Sequence, residues 1–128
     1  MQNSEVVQKL KELGKEIGEE KLVFLNGHGG GGWFVADARR VTTAELREMG
    51  LPSKTLGVAL VEDSEKENLM LNALVKKLGK YADSAVIYAE IGPLENPLLQ
   101  VCSIRAGTPA EHWVVNVRTK NVIIVSAE

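Results

Sequence analysis

After Ser84 the chain passes through four apolar, β-branched stretches with no helical interval: residues 85–91 (AVIYAEI), 98–104 (LLQVCSI), 112–117 (HWVVNV) and 122–126 (VIIVS). Nothing else in the sequence restricts the fold so strongly, because such stretches need a sheet to bury them. Short polar segments join them, 92–97, 106–111 and 118–121. A parallel pair needs a crossover of about a dozen residues or more, so short joints imply antiparallel neighbours. The expectation for this half is an antiparallel meander.

The first half interleaves helices. Val6, Val7, Leu10, Leu13 and Ile17 recur at helical spacing, with Lys and Glu opposite, and Gly18 stops the pattern. Residues 21–26 (KLVFLN) and 33–36 (WFVA) read as strands on either side of a glycine run. Thr42-Thr43-Ala44-Glu45 has the form of a capping box and opens a short helix closed by Gly50 and Pro52. Residues 55–62 (TLGVALVE) form a strand, with Gly57 marking a bulge or a close backbone approach. Ser64-Glu65-Lys66-Glu67 is a second capping-box pattern, and the helix behind it carries Leu71, Leu74, Val75 and Leu78 inward. The predicted fold is a single α+β domain over 1–128, in the order α-β-β-α-β-α-β-β-β-β. It has a mainly antiparallel sheet of about six to seven strands, and three helices on one face.

Composition removes several classes. With 15 Lys+Arg against 17 Asp+Glu and a net charge of -2, the chain does not match a nucleic-acid binder that works by bulk phosphate neutralisation. Cys102 is the single cysteine, which excludes an intrachain disulfide and a thiolate zinc cluster within one chain. The N-terminal residues lack the basic-then-apolar pattern of a signal peptide, and no apolar run nears the roughly 18 residues that span a bilayer. A cytoplasmic location is expected, with no membrane association. No H-x-H, H-E-x-x-H or D-x-D spacing occurs, so neither metal nor cofactor is expected.

Five of the 12 glycines crowd around one histidine: Gly27, then Gly29, Gly30, Gly31 and Gly32 after His28. Such a run gives no side chain to pack and is costly to order, and it is useful where backbone N–H groups must surround an anion. The plain alternative is a hairpin connection. The passage lacks the Lys-Ser/Thr ending and following helix of a P-loop, and it lacks the strand-turn-helix setting of a dinucleotide fingerprint. His28-Gly29-Gly30-Gly31 resembles the HGGG oxyanion segment of lipases and esterases, and 26–30 is similar to a short piece of the creatininase family. Neither likeness extends beyond these residues, and no G-x-S-x-G elbow is present.

Three functional readings follow. In the first, a small module binds an anionic small molecule, a nucleotide being one candidate, through the amides of residues 29–32. His28 then gives orientation or a proton, Trp33 a stacking surface, and Arg39 or Arg40 countercharge. In the second, the chain is a small hydrolase or transferase with Cys102 as nucleophile and His28 or His112 as base, an order also found in proteases with a His-Gly turn ahead of a strand-end cysteine. Against it, Cys102 falls inside a strand pattern, where an inert core thiol is the more usual role. In the third, the chain is an inhibitor- or immunity-type module with a protein partner. Four consecutive strands also leave edges that a second copy can cover. Arg105, within an apolar strand, is expected to face inward and pair with Glu90.

Overall fold

A computed structural model describes residues 1–27, 34–63, 65–91, 98–107 and 122–128. The elements are α1 (Asn3–Ile17), β1 (Val23–Gly27), β2 (Val35–Arg40), α2 (Thr43–Glu48), β3 (Gly57–Glu62), α3 (Leu71–Leu78), β4 (Val86–Glu90), β5 (Leu99–Gly107) and β6 (Val122–Ala127). The α+β class and the three helices match the sequence reading. The expected strand at 112–117 lies outside the described residues.

The six strands form one mixed sheet in the order β1-β6-β5-β4-β3-β2. β4–β5, β5–β6 and β2–β3 are antiparallel; of these only β4–β5 has a short connection, since residues 108–121 separate β5 from β6 and α2 lies between β2 and β3. β3–β4 and β1–β6 are parallel. The first of these is a crossover through α3, and the second brings the earliest strand beside the last. Neither long-range pairing is written in local periodicity.

Alternate strand residues face opposite ways, and the two faces are covered differently. Val58, Leu60, Ile87, Ala89, Ile123 and Val125 join Val6 and Leu10 of α1 and Leu74 and Leu78 of α3 in the main core. On the other face, Ala59 and Tyr88 pack with Val41, just past β2, and with Leu46 of α2, while Phe24, Phe34, Val122 and Ile124 form a separate cluster. The helices therefore occupy both faces rather than one: α1 and α3 cover the main core, and α2 lays Leu46 on Ala59 and Tyr88 of the other face. Gly57 is a close-approach point without a bulge: a Cβ there would lie 3.0 Å from Val41 and 3.2 Å from Tyr88.

The sheet curls until its two edges meet. Phe24 of β1 and Phe34, just ahead of β2, form an antiparallel bridge with ring centroids 5.3 Å apart and planes at 78°. Below that bridge an extended segment seals the seam: Leu69 N–H donates to Val35 O, Met70 bridges Leu22, and Leu71 N–H donates to Lys21 O. This explains why α3 begins at Leu71 and not behind the Ser64 capping pattern. Ser64 is outside the described residues, and residues 65–70 are not helical. The Thr42 box is present as read, with Thr42 Oγ1 accepting from Glu45 N–H and the Glu45 carboxylate accepting from Thr42 N–H.

The opening residues also join the sheet. Ile87 N–H donates to Met1 O, Gln2 bridges Val86, and the Met1 ammonium donates to Val101 O at 2.8 Å. No helix among the described residues is long and apolar enough to cross a membrane.

Candidate functional site

The pairings fix strand directions. β1, β3, β4 and β6 run one way, and β2 and β5 run the other. The glycine passage leaves from Gly27 and rejoins at Phe34, at the end of the sheet where those four strands finish. The segment that carries His112 leaves from Gly107 and rejoins at Val122, at the opposite end. His28, residues 29–32, Trp33 and His112 themselves lie outside the described residues. The passage does not cap a regular hairpin, because β1 and β2 touch at one bridge and take their ladders from β6 and β3.

Cys102 is exposed, which corrects the expectation of a core thiol. Val101 beside it is buried, so alternation turns Cys102 away from the core; the ladder also breaks here, Val101 pairing with Ala127 and Ser103 with Ser126, so Cys102 is the extra residue of a β-bulge. The thiol donates to Ser126 O at 3.3 Å. Ser126 is in register with Asn26 on β1, which precedes Gly27 and His28. Strand neighbours lie about 4.8 Å apart, so Cys102 stands about 10 Å, two strands, from the root of the glycine passage. The Oδ1 of Asn26 is enclosed and has no hydrogen-bond partner. Asn26, Ser126 and Ser103 are thus in register across three strands on the face opposite the main core, with Cys102 next to Ser103, at the end where His28 is tethered.

The two arginines part company. Arg39 donates two hydrogen bonds of 2.7 Å to the Glu45 carboxylate and reaches Glu90 at 3.2 Å. The guanidinium holds the Glu45 carboxyl down to about 2 despite the opposing effect of burial, and the two carboxylates raise Arg39 further above its ordinary value. Its charge is met within the fold. Arg40 is exposed and ends β2, six residues from Phe34 and so about 20 Å along the strand from the glycine root. Glu90 pairs with Arg39 and not with Arg105, which is exposed and not inward. Nearer the start of β2, Asp37 takes Lys77 and Lys66 as partners. Burial raises its carboxyl, but the Lys77 hydrogen bond and charge, the Ala38 N–H and Lys66 outweigh that and hold it below its usual range.

Sequence reasoning did not single out Asn26 or Ser126. The available signal was Asn26, a polar residue ending an apolar run directly ahead of the histidine loop. The alignment with Ser126 rests on a parallel pairing that no local pattern shows. Among the described residues no three His, Cys, Asp or Glu side chains converge to hold a metal ion. No family model, curated protein or solved structure matches this chain.

Proposed function

We propose that this chain is a small thiol-dependent hydrolase or transferase acting on an acyl group, with Cys102 as nucleophile and His28 as base. The observation that supports it is an exposed thiol on a β-bulge, at the end of the sheet from which His28 is tethered. In this reading Cys102 Sγ attacks the carbonyl carbon of an ester or amide as His28 takes the thiol proton. The amides of residues 29–32 stabilise the oxyanion. His28 then gives the proton to the departing oxygen or nitrogen, leaving a thioester that water or a second acceptor cleaves. The Asn26 carbonyl, which has no partner, suits the orientation of an imidazole N–H. His28 is preferred to His112 because the latter's segment is anchored at the far end of the sheet.

Iodoacetamide labelling of Cys102 across pH 5.5–9, read by mass spectrometry, tests the reading. An ordinary thiol follows its deprotonation near pH 8.5, whereas a histidine-paired thiol stays reactive well below pH 7. The expected result is fast labelling at pH 6.5 that His28→Ala returns to the ordinary profile. An ordinary profile in the native protein, unaltered by His28→Ala, refutes the assignment.

A second reading keeps the loop but not the chemistry: the same amides hold a stable anion, with Trp33 stacked on it. It is favoured by the position of the passage at the carboxyl ends of four co-directed strands, where sheets with parallel strands commonly hold ligands. Its mark is stabilisation by an anionic ligand that is lost in the Gly30→Ala/Gly31→Ala variant while Cys102 labels as an ordinary thiol.

A further inference from the structure

The geometry points to a separate phosphoryl-binding cleft at the other end of β2, built on Arg40 and Lys54. A cleft of about 470 Å³ there is lined by Arg40, Lys54, Thr43, Ser53 and Thr55, with Val41 and Leu46 as its apolar floor. A second cleft of about 290 Å³ shares Arg40 and adds Lys80 and Tyr81. Neither lining contains a carboxylate, although the chain has a net charge of -2. Among the described residues Arg40, Lys54 and Lys80 enter no ion pair, while Arg39, Lys66 and Lys77 all do.

Two cations without a counterion, Arg40 and Lys54, line the larger cleft beside hydroxyls that can donate, and Lys80 lines the adjoining one; such a set fits a doubly charged tetrahedral oxyanion better than a planar carboxylate. The Glu45 carboxylate touches the lining residue Thr42 from the helix side, and it is already committed to Arg39. The adjacent arginines therefore divide the work: Arg39 closes an internal ion pair, and Arg40 faces the cleft. The ligand is a free phosphate or the phosphate group of a monoester. The glycine passage is about 20 Å away along β2, so this site is independent of the thiol reading.

The test is titration of the full chain with inorganic phosphate, glucose 6-phosphate and adenosine monophosphate at constant ionic strength, followed by thermal shift and calorimetry. Acetate and sodium chloride serve as controls. At least one phosphoryl probe is expected to raise the melting temperature where acetate does not, and the strongest probe tells free phosphate from a monoester. Arg40→Gln and Lys54→Gln, both at exposed positions and checked for native circular dichroism, should each weaken binding about tenfold, the effect of one charge-assisted hydrogen bond. Lys11→Gln, on α1, should leave it unchanged. Absence of any phosphoryl-specific shift overturns the proposal, as does a shift that both cleft variants retain. A shift that survives them but disappears in Gly30→Ala/Gly31→Ala moves the anion to the glycine passage instead.

Discussion

Replacement of Asn3 by alanine should cost about 1.5–2 kcal/mol, a value that follows from where its amide sits. Asn3 is 1% exposed at the start of α1, and its Nδ2 donates to Leu78 O at 2.8 Å and to Tyr81 O and Ala82 O at 3.3 Å each. These carbonyls belong to the end of α3 and the turn after it, where helix C-termini leave acceptors without intrahelical donors. The short bond contributes about 1–1.5 kcal/mol and the two long ones together about 1 kcal/mol. Leu78 O keeps a second donor in Tyr81 N–H, which limits the loss. Removing the enclosed Oδ1, which has no partner, returns about 0.5–1 kcal/mol, and the small void left behind costs a similar amount. The net figure corresponds to a fall of about 5–9 °C in melting temperature for a chain of this size. Urea unfolding followed by far-UV circular dichroism measures it, with an unchanged slope showing that the folded state stays compact. Asn3→Asp should be worse at pH 7, since a carboxylate would face three carbonyls. Compared with the native protein at each pH, that variant should recover below about pH 4, where its protonated carboxyl can donate. An alanine variant within about 0.5 kcal/mol of the native protein would refute the reasoning.

Three other outcomes are expected. The Glu45 carboxyl, held to about 2 by Arg39, has a folded value below its unfolded one. Its stabilisation is therefore complete above about pH 4.5 and is lost as pH falls toward 2. The shift sets a ceiling of about 3 kcal/mol, and solvent screening of these part-exposed groups brings it nearer about 1 kcal/mol, so Glu45→Gln should flatten acid unfolding in that window. Gly57→Ala should destabilise by about 1–3 kcal/mol in thermal unfolding, because its methyl group meets Val41 and Tyr88 at 3.0–3.2 Å. Cys102 should react fully with a thiol reagent at alkaline pH without denaturant, and a requirement for urea would contradict its exposure.

Local signals were readable where local physics decides. The apolar stripe of α1, the Thr42–Glu45 box and most strand positions needed no tertiary information. The Ser64 pattern has equally good capping chemistry, yet residues 69–71 pair with β2 and with Lys21 and Leu22 just ahead of β1, and long-range backbone bonds prevailed over helix propensity. Cys102 was misread because the burial habit of free cysteine was set above its neighbours: Val101 beside it is buried, and alternation turns Cys102 away from the core. The Arg39–Arg40 doublet looked like one clamp, but adjacent strand residues point to opposite faces. Which of the two would find a carboxylate depended on Glu90, fifty-one positions away.

The seam between β1 and β2 bears on how the molecule comes apart. A sheet curled edge to edge offers little backbone for a stray strand to extend, which protects against edge-to-edge aggregation. Here that protection rests on the Phe24–Phe34 bridge and the three residues 69–71, far less than the ladders elsewhere in the sheet. Parting along that line would uncover two strand edges at once. The chain from Gly27 to Phe34 is a tether across the split, and its seven residue steps limit the gap at that end to about 25 Å. The glycine passage thus also sets the length of a hasp, and the edges it joins can swing apart only within that reach.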